Sequence, residues 1–230
     1  MTVQFRDDYL GSAAPTPVIP SPSDKNPPHR LYRQFAKRLL DLCLVLLVAP
    51  PVMLVLGVLA IIIALDGRSP FYFQERLGLN GRVFRMVKLR TMVWDADTAM
   101  AAHLAADPQA RAEWDRDQKL KQDPRITRFG AILRRSSLDE LPQLWNVLVG
   151  DMSIVGPRPM MCNQKDLYPG TEYYAMRPGI TGFWQISARN ESSFRERAMF
   201  DRSYFQRLSF FTDLSVMFRT VGVMVRGTGY

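Results

Sequence analysis

Two adjacent carboxylates, Asp139 and Glu140, follow a pair of arginines in the stretch RRSSLDELP. Ser137 and Glu140 have the spacing of a capping box, and acids in the first turn of a helix complement its dipole. Pro142 favours another start: with Asp139 as the N-cap, the proline falls in the first turn, where its missing N–H costs no hydrogen bond. The Asp139 carboxylate would then stand ionised at the mouth of a helix. On spacing alone, a purely structural role of these acids is the commoner one.

Several cations on stiff segments of chain could accompany these acids. Lys88 and Arg90 end a predicted strand, and Arg134 comes shortly before the two carboxylates. Arg158 lies in a Gly-Pro-Arg-Pro turn and Arg177 precedes a Pro-Gly pair, so a rigid backbone holds each guanidinium. Taken singly, such residues are most often solvated surface charges. Held together beside two carboxylates, they indicate a diphosphate site with a divalent metal bound through oxygen.

The composition limits the other kinds of chemistry. The chain has 230 residues, 47% of them hydrophobic, and a formal net charge of +8, so its natural partners are anionic: nucleic acid, phosphates or an acidic membrane face. Its cysteines, Cys43 and Cys162, are far apart, and its histidines, His29 and His103, have no ligand-like neighbours. A disulfide framework, a zinc site and a Ser-His or Cys-His catalytic pair are therefore not expected.

Residues 39–65 form one strongly apolar segment, LLDLCLVLLVAPPVMLVLGVLAIIIAL, whose single charge is Asp41. A continuous helix of this length would be about 40 Å long and would exceed a hydrocarbon core of roughly 30 Å. Pro50 and Pro51 lie near its middle and predict a break or a sharp bend. Basic residues flank the segment on both sides, which fits two cytoplasmic ends. The sequence favours a re-entrant hairpin over a kinked span, and both over a buried core helix.

Three regions follow from these patterns: a flexible Pro-rich tail (residues 1–30), a juxtamembrane and re-entrant helix (residues 31–66) and a cytosolic domain (residues 67–230). Asn80-Gly81 between apolar runs predicts a β-hairpin. An apolar stripe over residues 205–224 predicts one amphipathic helix, which suits a membrane surface and a protein core equally well. The fold class is a small α/β domain, mostly helical, with an N-terminal proline-broken membrane helix and interfacial helices.

From Lys37 onward the sequence resembles the bacterial sugar transferases, the monotopic polyprenol-phosphate phosphoglycosyl transferases, and among them the exopolysaccharide type. The resemblance is carried by KRLLDL before the proline-broken segment, and by FQERLGLNGRVFRMVKLRTM, SLDELPQLWNVLVGDMSIVGPRP and RPGITGFWQISARN. These blocks extend over nearly all of the predicted folded chain. Departures from the family pattern are a doubled proline, Ser69 in place of a glycine, and Leu89 in place of an aromatic residue.

The resemblance implies roles for individual residues. Asp139 would be the nucleophile that forms a phosphosugar aspartyl ester, and Glu140 would hold Mg²⁺. The other motif residues of the family correspond to Lys88, Arg134, Arg158, a late acid at Asp201, and a helix-breaking proline at Pro50 or Pro51. Arg90 and Arg177 join the predicted phosphate-binding set through their position on the chain.

The implied reaction transfers a hexose 1-phosphate, galactose or glucose, from a UDP-sugar to undecaprenyl phosphate and releases UMP. The expected location is the cytoplasmic leaflet of the bacterial inner membrane, without a nucleic acid partner; a homo-oligomer is compatible with the sequence. Two alternatives stay open. One is a non-catalytic, basic, membrane-tethered interaction module, and the other is a bitopic transferase with a periplasmic N-terminal tail.

Overall fold

A computed structural model describes residues 31–117, 120, 122–187, 194 and 196–225. The predicted Pro-rich tail, residues 1–30, lies outside the described residues. The described chain is mostly helical, with two small sheets. Its helices are α1 (Lys37–Ala64), α2 (Ala96–Ala106), α3 (Pro108–Asp117), α4 (Arg128–Ser136), α5 (Gln143–Val149), α6 (Phe183–Ser187), α7 (Arg197–Arg207) and α8 (Phe210–Val225). Its strands are β1 (Phe71–Leu77), β2 (Val83–Leu89), β3 (Ser153–Val155) and β4 (Gly179–Thr181).

The apolar segment forms one helix. Together with the π-helical turn Tyr32–Ala36 it has 33 residues, and an 18-residue stretch within it has a mean hydropathy of 2.8, so it is long and apolar enough to cross a membrane by length and composition. Pro50 and Pro51 lie inside α1 and do not divide it. Of the predicted break or sharp bend, the break is therefore not present, and the bend stays a prediction. Each proline removes one backbone donor, but intact leucine-rich turns on both sides continue the helix. The re-entrant path stays a prediction.

Both ends of α1 contact the same folded domain, while its middle is exposed. Near the start, Val45 is buried in a core cluster with residues of β2 and α5. Near the end, the carbonyl oxygen of Ile63 accepts a hydrogen bond from Arg90 Nη2 at 3.0 Å. Between them, Leu47 and Leu54 are 74% and 73% exposed. The apolar helix is therefore attached at two points, and its most hydrophobic part faces away from the protein.

Asp213 of α8 fixes the start of this helix. Its carboxylate accepts hydrogen bonds from Lys37 Nζ at 2.6 Å, Tyr32 Oη at 2.7 Å and Tyr204 Oη at 2.6 Å. The side chain of Asp213 is 1% exposed. A buried carboxylate is tolerated only where a cation and further donors satisfy its oxygens, and here all three donors come from other elements.

The predicted hairpin is confirmed. Strands β1 and β2 are antiparallel, and Asn80 and Gly81 take the positive φ values, 57° and 75°, that a tight reversal requires. Tyr72 lies opposite Lys88, and Arg76 follows four residues later on β1. Because side chains alternate between the two faces of a strand, Arg76 and Lys88 lie on the same face of the hairpin.

A second contact set joins α5 and the parallel pair β3–β4 to the hairpin. The Asn146 amide donates to the carbonyl of Arg85 at 2.8 Å and accepts from the N–H of Val87 at 3.0 Å, which fixes α5 against β2. After β3, Gly156 is a position of close approach, because a Cβ there would lie 2.4 Å from the carbonyl oxygen of Arg177. The turn after β3 is therefore held against the start of β4 by close backbone contacts.

The C-terminal stripe does not form the single helix that was predicted. Helices α7 and α8 are separated at Leu208 and Ser209, and Ser209 Oγ accepts a hydrogen bond from the N–H of Thr212 at 3.2 Å. A serine in this position caps the start of α8. Because α7 and α8 are separate helices, apolar residues counted as one stripe across the break lie on faces of two different helices. Leu208 and Val216 are buried, whereas Phe211 is 79% exposed.

We predict that Asp213→Asn lowers the free energy of unfolding by about 3–5 kcal/mol, because Lys37 would remain buried without its carboxylate. The measurement is denaturant unfolding of the detergent-solubilised protein, followed by circular dichroism. Asp115→Asn is the matched control: its pair with Arg111 is 3.0 Å long but more than half exposed on both sides, so we expect a change below about 1 kcal/mol. Equal effects of the two substitutions would contradict a stabilising role of the buried pair.

Candidate active site

Asp139 and Glu140 lie in a single 3₁₀ turn, Leu138–Glu140, between α4 and α5. Ser137 takes a left-handed conformation with φ 58°, which ends α4 and reverses the chain. Pro142 is the N-cap of α5, so the prediction that Asp139 caps this helix is wrong. The N–H of Glu140 donates to the carbonyl of Ser137 at 3.2 Å, and this bond closes a separate turn before the helix starts. The tight turn, not a helix N-terminus, directs the two carboxylates.

Lys88 at the end of β2 faces both acids. Its Nζ donates to Glu140 Oε1 at 2.7 Å and lies 3.9 Å from Asp139 Oδ2. Asp139 as a residue is only 6% exposed. The predicted grouping of a lysine with the Asp-Glu pair is therefore present, with the lysine paired to Glu140 and close to Asp139.

Burial raises the pKa of the Asp139 carboxyl above its ordinary value. Glu140 raises this pKa further through like-charge repulsion, while Lys88 and Arg134 lower it. The desolvation of the carboxylate is the largest of these effects. A carboxylate stripped of water and only partly compensated by cations is a stronger nucleophile than a solvated one.

Arg134, at the end of α4, is held by Thr91. Its Nε donates to Thr91 Oγ1 at 2.9 Å, and its terminal amino groups make no hydrogen bond to any residue that the structure describes. The carbonyl of Thr91 accepts from the N–H of Thr127 at 3.0 Å, and Thr127 caps the start of α4. A Cβ on Gly130 would lie 2.0 Å from the same carbonyl oxygen, so α4 rests directly on this backbone. Thr91 thereby contacts both ends of α4 and leaves the guanidinium fork of Arg134 open.

The acidic pair offers too few ligands for a metal site of its own. Over residues 31–117, 122–187 and 196–225, no group of three or more His, Cys, Asp or Glu side chains could hold a metal ion. Mg²⁺ in phosphoryl-transfer sites is bound through one or two carboxylates, with the remaining positions filled by phosphate oxygens and water. Asp139 and Glu140 fit magnesium in that setting, together with a substrate phosphate.

Arg158 lies in a second group of cations, with Arg76 and Arg197. The guanidinium carbon of Arg158 is 5.5 Å from the centre of the Trp184 ring, and that of Arg197 is 5.3 Å from the same centre. Arg76 Nη1 donates to the carbonyl of Pro159 at 3.3 Å. The sequence analysis predicted Arg158 as a phosphate-binding residue but did not identify Arg76 and Arg197. The hairpin register could have indicated Arg76, since it shares a face with Lys88.

Asp201 belongs to this second group and not to the turn of the two acids. It is buried and accepts a hydrogen bond from Tyr168 Oη at 2.7 Å. Burial raises the pKa of Asp201 to about 6, whereas Tyr168 and the cation of Arg197 lower it. Its contacts give it a structural place beneath the arginines.

Two of the predicted phosphate-binding residues have protein partners instead. Arg90 Nη2 lies 2.6 Å from Asp66 Oδ1 and also donates to the carbonyl of Ile63 in α1. Arg90 therefore holds the end of the apolar helix α1. Arg177 Nε donates to the carbonyl of Gly150 at 2.9 Å. There it joins Arg38, which donates to the carbonyl of Leu148 at 2.8 Å, in satisfying the last carbonyls of α5. Arg90 and Arg177 are placed outside the group formed by Lys88, Arg134 and the two acids.

Comparison with known proteins places this geometry in a family. A family model described as bacterial sugar transferase matches residues 32–227. The UDP-galactose-lipid carrier transferase of Erwinia amylovora is 44% identical over 198 residues, 85% of this chain. The exopolysaccharide production protein ExoY of Rhizobium meliloti is 43% identical over 178 residues, 76% of this chain. The UDP-glucose:undecaprenyl-phosphate glucose-1-phosphate transferase of Caulobacter vibrioides is 36% identical over 232 residues, 93% of this chain.

These relatives differ in length. The chain spans 42% of the Erwinia protein, so less than half of that relative is represented here. It spans 79% of the Rhizobium protein and 81% of the Caulobacter protein. The similarity therefore extends over about four fifths of the two shorter relatives and less than half of the longer one.

We predict that the Asp139 pKa responds to its neighbours in opposite directions. Glu140→Gln removes a like charge and lowers the pKa of Asp139, whereas Lys88→Met removes a cation and raises it. The measurement is the carboxyl ¹³C shift of labelled aspartate against pH without metal, assigned by its loss in Asp139→Asn. A pKa that moves in the same direction in both variants, or in neither, would show that the three groups are not coupled as the geometry requires.

Proposed function

The chain belongs to the bacterial sugar transferase family, and we propose that it transfers a hexose 1-phosphate from a UDP-sugar to undecaprenyl phosphate with release of UMP. The observation that carries this proposal is the buried Asp139 carboxylate beside Lys88 and the open guanidinium fork of Arg134. This arrangement supplies one nucleophile and two cations for an anionic, phosphorylated substrate. The reaction would be the first step in the assembly of an exopolysaccharide or another glycoconjugate.

The proposed reaction has two displacement steps at one phosphorus. In the first, an Asp139 oxygen attacks the sugar-bearing phosphorus of the UDP-sugar; the bond to the bridging oxygen breaks, and its electron pair leaves on UMP. In the second, a phosphate oxygen of the lipid attacks the same phosphorus and the Asp139 carboxylate is released. One phosphoanhydride is exchanged for another through an acyl phosphate, so the sequence is ping-pong and needs no ATP.

The cations make the first step feasible. A carboxylate and a diphosphate repel each other, and the repulsion grows as water is excluded. Lys88 and Arg134 lie on the approach to Asp139 and would neutralise phosphate oxygens as the attacking oxygen comes close. Glu140 would hold magnesium together with the diphosphate, and the bound ion would supply further neutralisation of these oxygens.

The attachment of α1 at two points supports a re-entrant arrangement in the cytoplasmic leaflet. Val45 is buried in the core of the domain, and the carbonyl of Ile63 accepts a hydrogen bond from Arg90, so both ends of the apolar helix contact the same domain. A helix that crossed the bilayer would carry its two ends to opposite surfaces. Two attachments to one water-exposed domain therefore favour entry and exit at the same surface, with the bend near Pro50 and Pro51. The lipid phosphate and the cytosolic nucleotide sugar would meet there.

The relatives' names support galactose or glucose as the sugar. The Erwinia protein is named for UDP-galactose and the Caulobacter protein for UDP-glucose. These two sugars differ only in the orientation of the hydroxyl at C4. We therefore propose a neutral hexose without an N-acetyl group as the transferred sugar.

We predict that Asp139→Asn reduces UMP release from UDP-galactose and UDP-glucose by about a thousandfold or more, because an amide cannot form the ester. The measurement is UMP formation by purified full chain in detergent with undecaprenyl phosphate and Mg²⁺. Asp115→Asn, an exposed aspartate on α3, is the control and should retain full activity.

Mass spectrometry of the intact protein with UDP-sugar and magnesium, but without the lipid, should show a phosphosugar adduct that the Asp139→Asn variant lacks. The same protein without magnesium should form little adduct. Full activity of Asp139→Asn, with salt-sensitive lipid binding as the sole property of the chain, would instead favour a non-catalytic, basic membrane module.

We also predict that Thr91→Val lowers kcat for UMP release by about tenfold to a hundredfold, because Arg134 Nε would lose its acceptor and the fork its orientation. Thr91→Ser keeps the hydroxyl and should restore most of the rate. Val and Thr have nearly the same shape, so the thermal unfolding of Thr91→Val should stay close to that of the wild type. An unchanged kcat in Thr91→Val would contradict the role of this hydrogen bond, and an equal loss of kcat in Thr91→Ser would assign the threonine a packing role.

A further inference from the structure

Arg76, Arg158 and Arg197 form a compact cationic group around the Gly-Pro-Arg-Pro turn, which we call the arginine triad. Arg76 bonds to the backbone of that turn through Pro159 at 3.3 Å. Arg197 Nη2 donates to the carbonyl of Arg158 at 2.7 Å. Both Arg158 and Arg197 lie against Trp184. The three guanidinium groups therefore converge on one place although they come from β1, a loop and α7.

The charge of this group is poorly compensated within the described chain. Asp201 is the carboxylate whose charge acts on Arg197, and Tyr168 already donates to one of its oxygens. The pKa of Asp201 is raised to about 6, so part of its charge is lost near neutral pH. No ion pair within 4.0 Å joins Arg76, Arg158 or Arg197 to an acid among residues that the structure describes.

The arginines are also buried without all of their hydrogen bonds. Arg197 is 8% exposed. The Nε atoms of Arg76 and Arg197 are both buried and have no hydrogen-bond partner. Burial and mutual repulsion lower the pKa of Arg76 to about 10. Gathering like charges out of water costs free energy, so the arrangement is expected where an anion completes it.

The hairpin register places the triad relative to Asp139. Arg76 and Lys88 lie on one face, and Arg76 is four residues further along β1 than Tyr72, the partner of Lys88. This separation is about 13 Å along the strand. Lys88 and the triad therefore lie along one face of the hairpin, where one extended substrate could contact both.

The two ends of the hairpin differ in their relation to α1. Lys88 lies at the open end, where Arg90 is bonded to Ile63 and Asp66 at the end of the membrane helix. The triad lies toward the turn of the hairpin, where Leu77 is bonded to the backbone of Met160. Under the proposed function, a lipid phosphate tethered near α1 would approach from the open end. The nucleotide half of the other substrate would then extend the opposite way.

We propose that Arg76 and Arg197, together with Arg158, form a subsite for the phosphate of the nucleoside monophosphate, the part of the sugar nucleotide that departs as UMP. This inference rests on the proposed function and adds two residues and a location to it. The phosphate monoester of UMP carries a charge near −2 at neutral pH and offers three acceptor oxygens to the triad. The guanidinium groups would supply donors for it, and the cost of their burial would be offset by the negative charge. Stabilising the charge that develops on the leaving phosphate would assist the first displacement.

The test is isothermal titration of the full chain in detergent with UMP, without lipid, sugar nucleotide or magnesium. We expect Arg76→Gln and Arg197→Met each to weaken UMP binding about tenfold or more, the loss of a charge-assisted hydrogen bond. Arg76→Lys, which keeps the charge, should lose less than Arg76→Gln. Arg82→Gln, an exposed arginine at the turn of the same hairpin, is the control and should bind UMP as the wild type does.

Two further probes separate the sources of phosphate. Uridine, which lacks the phosphate, should bind the triad variants and the wild type equally, and so should farnesyl phosphate, a short polyprenyl phosphate. Unchanged UMP affinity in Arg76→Gln and Arg197→Met overturns the proposal, and so does an equal loss of uridine affinity, which would indicate a general defect. Weaker farnesyl phosphate binding with unchanged UMP binding would assign the triad to the lipid and overturn it as stated.

This experiment is independent of turnover. If UMP binding depends on the triad but no sugar phosphate is transferred, the proposed function fails and the subsite stands. If transfer occurs and UMP binding ignores the triad, the subsite fails and the proposed function stands. Thermal unfolding of each variant, in particular Arg76→Lys, shows that a loss of binding is not a loss of fold.

Discussion

The proposed function sets one electrostatic constraint on the geometry of this protein, the repulsion between the Asp139 carboxylate and a phosphorylated substrate that would have to come into contact. Two unit charges 4 Å apart interact by about 4 kcal/mol at an effective dielectric of 20, so an uncompensated approach would slow the attack severely. In the structure, two cations are held in position without a bound substrate. Lys88 is placed by a paired strand, and Arg134 is placed by a hydrogen bond to Thr91. Neither cation depends on the substrate for its position.

Under the proposed function, the same constraint would explain why α1 is joined to the domain at two points. A lipid phosphate would be held at a fixed depth by the bilayer, so the proposed nucleophile would have to be held at that depth too. Asp213 joins α8 to the start of α1 through Lys37, and Arg90 joins β2 to its end. Arg90 follows Lys88 by two residues, directly after the end of β2. The segment that carries Lys88 is thus also the segment that holds the end of the apolar helix.

Local signals in the sequence predicted local structure well. Asn80-Gly81 indicated the hairpin, and the turn chemistry left no alternative reversal nearby. The grouping of Lys88 with Asp139 and Glu140 was also predictable, through the family resemblance. The interruption at Ser209 was not, because a periodic stripe can be counted through a cap without loss of regularity. The sequence did not predict that α1 continues through its prolines. Propensity rules consider the turn that contains the proline, whereas the other turns of this 28-residue helix keep their hydrogen bonds and maintain it.

The arginines show why charge in a sequence does not identify a binding site. The positions of Arg90 and Arg177 in the sequence indicated phosphate binding as much as that of Arg134 did. In the structure both bind protein oxygens instead: Arg90 pairs with the Asp66 carboxylate, and Arg177 donates to the carbonyl of Gly150 at the end of α5. Among the residues that the structure describes, Arg134 has a partner for its Nε alone, which leaves its two terminal amino groups to donate to a phosphate. What separates a structural arginine from a binding one is the number of acceptors that the fold offers it. The number of acceptors depends on contacts between elements that are distant in sequence, such as β2 and α4. It therefore cannot be predicted from residue spacing along the chain.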